Sequence, residues 1–294
     1  PSSHRLGLKT LAEIELGVTM THIEELIGSG KNQLSMADIP AKKVAPYAAA
    51  DAEVPLKLMQ LLKERLEKNH LLDVFEKIEM PLVPVLIDME RTGISIDTYF
   101  FKEYSQELTT RMHEIEKEIY QTLGYPININ STQQLSKALF QDLGLKNPDP
   151  GNKTKSGHYS TSASVLEEMR GQHAVVDLVL EYRELAKLVS TYLDTLPKQV
   201  NPLTHKIHTS FSQTGSVTGR LASSEPNLQN IPTRTELGHQ VRKGFIADAG
   251  QVLVSVDYSQ IELRVVAHMS QDQSMLEAFR KGMDIHATTA AAIY

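Results

Sequence analysis

The chain has 294 residues, of which 41% are hydrophobic and 22% charged, and it contains no cysteine. This length has room for about two ordinary domains, and the composition is typical of a folded chain rather than a disordered one. The missing cysteines exclude disulfides and thiolate metal sites, and no apolar run predicts a membrane span or a signal peptide. A net charge of −6 does not exclude nucleic-acid binding, which depends on where Lys and Arg cluster. The expected compartment is the cytoplasm.

The first part of the chain is predicted to be helical. Apolar residues recur at near-helical spacing over residues 6–16. The following Gly28-Ser-Gly-Lys31 could be mistaken for a phosphate-binding loop. Glu25 stands where that motif needs its first glycine, and Asn32 stands where it needs Ser or Thr. A surface turn is therefore the better interpretation.

A second helix is predicted over residues 40–68, with a possible bend before Pro55. Tyr47 and Asp51 are one helical turn apart and therefore share a face of it. By itself such a pair is mostly coincidence.

The middle of the chain shows several helix boundaries. Residues 91–97 are predicted to form a short turn and strand, with Asp97 as the N-cap of a long amphipathic helix that ends at Gly124. A domain boundary is expected between residues 75 and 97. Ser131 can cap the next helix, with Gln134 at the N3 position of a capping box.

A further cap is available at residues 160–164, and a third long helix is predicted over residues 175–196, closed by Pro197. Backbone N–H groups at such helix starts can hold phosphate, although capping alone is the commoner explanation. Near residue 200 the sequence pattern changes from one typical of a helical region to one typical of an α/β region.

A carboxylate follows a short apolar segment near the end of the chain. Residues 252–257 are predicted to be a strand that ends in Asp257, followed by a helix that includes Ile261. An Asp at the tip of a strand can hold Mg²⁺, or it can cap the following helix. Spacing alone does not favour the magnesium ligand over the helix cap, or the reverse.

The octet Asp257-Tyr-Ser-Gln-Ile-Glu-Leu-Arg264 resembles motif A of the family A DNA polymerases, the DNA polymerase I type. Residues 218–232 resemble the family's primer-template segment, and residues 282–286 resemble the segment before its nucleotide-binding helix. The thumb loop and thumb helix of the family are resembled by residues 154–157, 159–162 and 181–192. The resemblance covers essentially the whole chain.

The resemblance implies an α+β fold in three parts. Residues 1–75 would be the C-terminal part of an RNase H-like 3′-5′ exonuclease domain. Residues 76–200 would form the palm entry and the mostly helical thumb. Residues 201–294 would begin an antiparallel-sheet palm, carry motif A and reach the start of the fingers.

The resemblance also assigns a polymerase site that holds two Mg²⁺ ions. Asp257 would ligate both ions, and the backbone carbonyl of Tyr258 would be a further ligand. Glu262 would lie against the sugar of the incoming deoxynucleoside triphosphate and exclude a 2′-hydroxyl. The residues implied to bind this substrate are Tyr258, Gln260, Glu262 and His286.

Primer-template DNA is the second implied partner. Arg220 would reach the minor groove at the primer terminus, where an acceptor common to all base pairs reports pair shape. The template side would be contacted by Asn227, Gln229 and Asn230. The thumb would contact backbone phosphate or sugar through Asn130, Ser131, Thr132, Ser190 and Thr191. The family commonly has Lys where this chain has Val189, so somewhat weaker and less salt-sensitive DNA binding is expected.

Tyr47-Ala-Ala-Ala-Asp51 resembles the third motif of the family's proofreading 3′-5′ exonuclease. Asp51 would ligate a metal ion there, and Tyr47 would orient the attacking water. The other exonuclease carboxylates are expected upstream of Pro1, and the second catalytic Asp of the palm downstream of Tyr294.

We therefore expect a monomeric piece of a polymerase of DNA replication and repair that polymerises nothing by itself. One alternative is a catalytically silent module that binds duplex DNA. Another is a helical scaffold that has lost DNA binding.

Overall fold

A computed structural model describes residues 7–151, 153–154, 156–233, 235–285, 287 and 290. It divides into two compact units, Pro1–Ile246 and Ala247–Tyr294. The predicted α+β class is confirmed, because helices dominate and the strands of the described residues form two antiparallel pairs. Among the described residues, no helix is long and apolar enough to cross a membrane. The predicted domain boundaries near residues 75 and 200 stay predictions.

The first unit opens with three helices: α1 (Leu8–Leu16), α2 (Ile23–Ile27) and α3 (Ala41–Lys68). The segment predicted as a surface turn contains a single exposed 3₁₀ turn, Gly30–Asn32. Helix α3 continues through Pro46 and Pro55. A small core of its own joins α1 and α3, made of Ala12, Met20, Val54 and Leu58.

Next come α4 (Leu72–Val74), a π-helical segment (Phe75–Glu79) and α5 (Met80–Thr92). The wide π turn precedes Pro81, which has no N–H to donate to the preceding turn. Strand β1 (Ser95–Ile96) leads into α6 (Thr98–Leu123). The predicted cap is confirmed, because the Asp97 carboxylate accepts a hydrogen bond from the Phe100 amide at 2.9 Å. Gly124 ends α6 with a φ of 80°.

Helix α7 (Thr132–Lys137) continues as a π segment (Ala138–Asp142), and α8 spans Ala163–Glu168. Ser131 caps α7 as predicted, but the reciprocal bond of the capping box does not form. The Gln134 side chain instead accepts from the Asn128 amide at 2.8 Å. The Ser131 amide already donates to the Asn128 carbonyl at 2.9 Å, which removes the donor that the box requires.

The third long helix is shorter than predicted. Helix α9 (Ala174–Leu188) changes to a π segment at Val189–Leu193, and Pro197 lies in a separate 3₁₀ turn, Leu196–Gln199. The π segment ends with a wide bond, from the Asp194 amide to the Val189 carbonyl at 2.9 Å. Helix α9 therefore ends before Pro197, and the proline is not what ends it.

Two small antiparallel sheets complete the first unit. β2 (Ser210–Ser212) pairs with β3 (Ala222–Ser224), with Phe211 opposite Ser223. After α10 (Glu236–Lys243), β4 (Phe245–Ile246) returns to β1, with Ile96 opposite Phe245. The β1–β4 pair thereby brings the segment after α10 next to the start of α6.

The main core lies between α6, α7, α8 and α9. Its largest fully buried side chains include Phe101, Ile115, Ile119, Leu135, Leu139, Leu166, Leu185 and Tyr192. Gly244 approaches this core so closely that a Cβ atom there would lie 2.0 Å from the Phe101 ring. The turn into β4 can pack onto α6 only because it carries no side chain at this position.

In the second unit, α11 (Ile261–Ser270) and α12 (Gln273–Arg280) form a helix pair. The Arg264 guanidinium lies 4.5 Å from the centre of the Phe279 ring and joins them. The predicted strand over residues 252–257 is wrong for the described residues. The segment pairs with no described strand, and Val252, Val254 and Val256 are 80%, 77% and 89% exposed. A strand needs a neighbour for its backbone groups, and an apolar sequence does not supply one.

Candidate nucleic-acid interface and motif A

The first group of predicted DNA contacts lies at the start of α7. Asn130 and Thr132 are exposed, and Ser131 is half-buried. The Ser131 hydroxyl accepts from the Gln134 amide at 3.4 Å, so it caps the helix. Thr132 Oγ1 lies 3.5 Å from Nε2 of His158, in the polar loop that precedes α8. The helix start and this loop therefore meet at one polar surface.

Asn130 forms a side-chain hydrogen bond with a buried tyrosine, Tyr182. The Tyr182 hydroxyl donates to Glu116 Oε1 at 3.0 Å, and its ring is only 6% exposed. Burial, together with the hydrogen bond to Glu116, raises the pKa of Tyr182 to about 12, while a side-chain hydrogen bond with Asn130 opposes that increase. Tyr182 thus connects α6, α9 and the predicted contact residue.

Arg183, the next residue of α9, holds the segment just before α8. Its guanidinium donates to the backbone carbonyl of buried Thr161 and lies 3.4 Å from Thr161 Oγ1. Burial lowers the pKa of Arg183 from its usual value. The end of the polar loop is therefore fixed to the same helix as Asn130.

Ser190 and Thr191 are exposed in the π segment that continues α9. The Ser190 hydroxyl donates to the Ala186 carbonyl at 2.7 Å, and the Ser190 carbonyl accepts from Thr195 Oγ1 at 2.6 Å. Asp194, at the end of the segment, accepts from buried Ser105 of α6 at 2.7 Å. Polar contacts thus fix the wide turn that presents the two residues.

The remaining predicted contacts lie in the loop after β3 and just before it. Arg220, Asn227, Gln229 and Asn230 are all exposed. The Gln229 side chain is already engaged, because its amide nitrogen donates to the Leu221 carbonyl at 2.9 Å and its oxygen accepts from the Ser223 amide at 3.1 Å. Gln229 therefore closes this loop on itself.

The loop is also joined to the π segment that follows α9. The hydroxyl of Tyr192 donates to the backbone carbonyl of Asn230, and Tyr192 is 2% exposed. Burial raises the pKa of Tyr192. Sequence reasoning assigned no role to Tyr182, Arg183 or Tyr192, whose pattern matches the buried stripe of an amphipathic helix.

The Tyr47 and Asp51 side chains meet on α3 as predicted. A hydrogen bond to the Asp51 carboxylate raises the pKa of Tyr47. Asp51 Oδ1 is buried and has no hydrogen-bond partner among the described residues. Lys9 lies 4.6 Å from the centre of the Tyr47 ring, and its ammonium donates to the Thr21 carbonyl. The pair is thus covered on one side by a cation from α1.

Motif A spans the extended segment and the start of α11. The Asp257 side chain is exposed, as is Tyr258. The alternative that Asp257 caps α11 is wrong, because Gln260 occupies the N-cap position and Glu262 lies in the first helical turn. Gln260 itself has a left-handed backbone, with φ of 52°.

The described residues contain no group of three or more carboxylate or imidazole side chains that could hold a metal ion. Asp257 therefore belongs to no such group within this part of the chain. His286, predicted to lie near the triphosphate, falls outside the described residues.

Known proteins with similar sequences and structures are DNA polymerases. Residues 98–294 match the model of DNA polymerase family A. DNA polymerase I of Chloroflexus aurantiacus is 48% identical over 99% of this chain and 31% of its own length. The thermostable DNA polymerase I of Thermus thermophilus is 48% identical over 81% of this chain and 28% of its own length.

One solved structure is the POL domain of Pol1 from M. smegmatis in complex with DNA primer-template and dNTP. It is 30% identical in sequence and superimposes with a TM-score of 0.81. The match covers 97% of this chain and 46% of that one. The chain spans about a third of the length of the curated relatives, 31% for the Chloroflexus protein. With most of its length matched by the family model, the chain belongs to DNA polymerase family A.

Proposed function

We propose that this chain supplies the thumb, the first part of the palm and the end of the proofreading domain of a template-directed DNA polymerase. The observation that carries the proposal is motif A in a family A chain, with the Asp257 carboxylate exposed and not used as a helix cap. The proposed partners are primer-template DNA and deoxynucleoside triphosphates, which the M. smegmatis relative holds in its solved complex.

Asp257 fits the role of a magnesium ligand by its chemistry. Its carboxylate and the Tyr258 carbonyl are hard oxygen donors, the type that Mg²⁺ prefers together with substrate phosphates. When bound, a pair of such ions would polarise the triphosphate and activate the primer 3′-hydroxyl. The described part contains no group of three such ligands, and in this proposal further donors come from residues outside it.

The protein's own contribution in motif A is to position the nucleotide. Glu262, in the first turn of α11, would face the sugar and reject a 2′-hydroxyl. Tyr258 and Gln260 flank that turn, and His286 would lie near the triphosphate. These residues would act by shape and hydrogen bonding.

DNA would be held by the first unit. Asn130, Thr132, Ser190 and Thr191 are exposed polar groups on elements that α9 joins, which suits contact with backbone phosphate or sugar. Arg220 and the loop that contains Asn227 and Asn230 would test the shape of the primer-terminal pair. Neither set reads sequence, as a general polymerase requires.

The second proposed activity of the longer protein is 3′-5′ proofreading. The unpartnered, buried Oδ1 of Asp51 supports a metal-ligand role, and the hydrogen bond with Tyr47 supports a shared site. The other exonuclease carboxylates would come from elsewhere in that protein.

The proposed setting is DNA replication and repair in the cytoplasm, with the polymerase acting as a monomer. The alternative is a module that binds duplex DNA without catalysis. It is favoured because Asp257 belongs to no group of three or more ligands in the described part, and an incomplete two-metal site does not catalyse phosphoryl transfer.

Primer extension by the longer polymerase that contains this chain tests the proposal. Asp257→Asn keeps the shape of the side chain but removes the charge that a metal ligand needs. We expect single-turnover incorporation to fall by about 10³-fold or more, the size seen when one strong electrostatic contact to a transition state is lost.

Asp38→Asn is the matched control, since Asp38 is exposed in a 3₁₀ turn of the first unit. It should extend the primer at the unsubstituted rate. Incorporation by the Asp257→Asn protein within about two-fold of the unsubstituted rate would rule out the metal role of Asp257.

A further inference from the structure

Two apolar residues anchor the loop after β3 to the main core. Leu228 packs against the main core, and Ile231 is itself buried there. Inside the loop, the Leu228 amide donates to Ser223 Oγ at 2.9 Å and the Gln229 amide donates to Asn227 Oδ1 at 3.0 Å. These contacts hold parts of the loop in place, but none of them fixes the peptide group that follows Asn230.

That peptide group is held from another element. The Tyr192 hydroxyl donates to the Asn230 carbonyl, and its ring is buried in the π segment that follows α9. A carbonyl fixed in direction fixes the peptide plane, and with it the backbone angle that sets where the Asn230 side chain points. The bond joins residues 38 positions apart.

Tyr192 also adjoins a second predicted contact. Thr191 precedes it and is exposed, while the wide turn that carries both is closed by the bond from Asp194 to Val189. The same residue thus sets the spacing between the Ser190–Thr191 surface and the Asn227–Asn230 loop. Both surfaces are proposed to lie on primer-template DNA.

We propose that Tyr192 is a positioning residue for primer-template binding, which registers the Asn227–Asn230 loop against the thumb helix. This inference rests on the proposed function. Tyr192 does not touch DNA itself, because its ring is buried and its hydroxyl is used on the Asn230 carbonyl. Its effect must therefore pass through the loop.

Amide hydrogen exchange of the 294-residue chain tests the structural part without DNA. Tyr192→Phe removes only the hydroxyl, and we expect exchange at the Ser223, Leu228 and Gln229 amides to become about three- to ten-fold faster, as loss of one neutral hydrogen bond predicts. Exchange within α9 should not change. Unchanged exchange in the loop would overturn the inference.

Tyr120→Phe is the matched control, because it also removes one hydroxyl bond to a carbonyl, that of Ile127 at 2.8 Å. It should leave the three loop amides at their unsubstituted rates. Equal acceleration by both variants would mean that any lost tyrosine bond loosens the unit, and would overturn a specific role for Tyr192.

A double-mutant cycle on primer-template affinity tests the DNA part. Tyr192→Phe should weaken binding about three- to ten-fold in the unsubstituted chain, and less than about two-fold when Asn227→Ala and Asn230→Ala are already present. Combined with the distant Asn130→Ala, its effect should be additive. The same loss in both backgrounds would overturn the inference.

Failure of the proposed function would look different. If the unsubstituted chain bound no primer-template, the proposed DNA role would be overturned together with that of Tyr192, whatever the exchange rates. If the unsubstituted chain bound and Tyr192→Phe bound equally well, only the positioning role would be lost.

Discussion

Val189 stands where the resemblance to the family leads us to expect a lysine. It lies half-buried against the main core, directly before Ser190 and Thr191. A lysine can keep its aliphatic stem on apolar surface while its ammonium reaches solvent, so the position can accept one. We therefore expect the missing charge at Val189 to affect DNA binding and not folding.

Val189→Lys should strengthen primer-template binding and make it more sensitive to salt. One added phosphate contact raises the slope of log affinity against log salt by about 0.9. Fluorescence anisotropy over a salt series measures that slope, with Val189→Gln as a control of similar length and no charge. A slope equal to that of the glutamine variant would show that Val189 does not face phosphate.

Residue roles with local causes were predictable from the sequence. Asp97 caps α6 and Gly124 ends it, because a cap and a left-handed residue act within one turn. Tyr182 was not predictable, because its partner Glu116 lies 66 positions away. Only the fold brings such pairs together, and a buried tyrosine on a helix stripe reads as core in a single sequence.

Because α6 packs on α9 and buries Tyr182, the contribution of Tyr182 to the stability of the fold depends on pH. Its pKa is about 12 in the folded chain against 10.0 for an exposed tyrosine, chiefly because burial disfavours the ionised form. Below pH 10 the hydroxyl is protonated in both states, and its contribution to stability is complete. As pH rises from 10 towards 12, the unfolded chain ionises first and that contribution is lost.

Urea unfolding of the unsubstituted chain and of Tyr182→Phe checks this. The difference in their free energies of unfolding should be constant below pH 10 and should shrink between pH 10 and about 12. Comparing the two proteins removes the shared effect of the other tyrosines. A difference that stays constant through this window would contradict the raised pKa.

The contact between α6 and the turn before β4 depends on Gly244. Its φ of −74° suits any residue, so space and not backbone angle excludes a side chain. Gly244→Ala would force a methyl group into the Phe101 ring and should destabilise the chain by about 1–3 kcal/mol.

The matched control for Gly244 is Gly151→Ala. A Cβ there meets nothing nearer than 4.0 Å, so the free energy of unfolding should change by less than about 0.5 kcal/mol. Equal unfolding midpoints in urea for the two variants would show that the turn moves away from Phe101 at no cost.

Strands were harder to predict than helices at the scale of elements. The helical stripes of α6 and α9 contain their own hydrogen bonds and fold where the pattern indicates. The segment 252–257 has an apolar pattern that is equally clear, yet it stays exposed and unpaired in the described structure. A strand depends on partners elsewhere in the chain, and its own sequence says nothing about them.

For the whole molecule, the two units have different proposed tasks. The first, Pro1–Ile246, contains every residue predicted to contact DNA. Tyr182 and Arg183 of α9, and Tyr192 of the π segment that follows it, join their segments. The second, Ala247–Tyr294, contains motif A. The sequence predicted both tasks from motifs, but it did not predict the buried contacts that join the DNA surface.

Binding of a fluorescent primer-template to the 294-residue chain tests the central claim most directly. Anisotropy at about 50 mM and about 200 mM salt should show binding at the lower concentration and clearly weaker binding at the higher one, because phosphate contacts release counterions. Absence of binding at both concentrations would contradict the account and would favour a helical scaffold without a DNA-binding role.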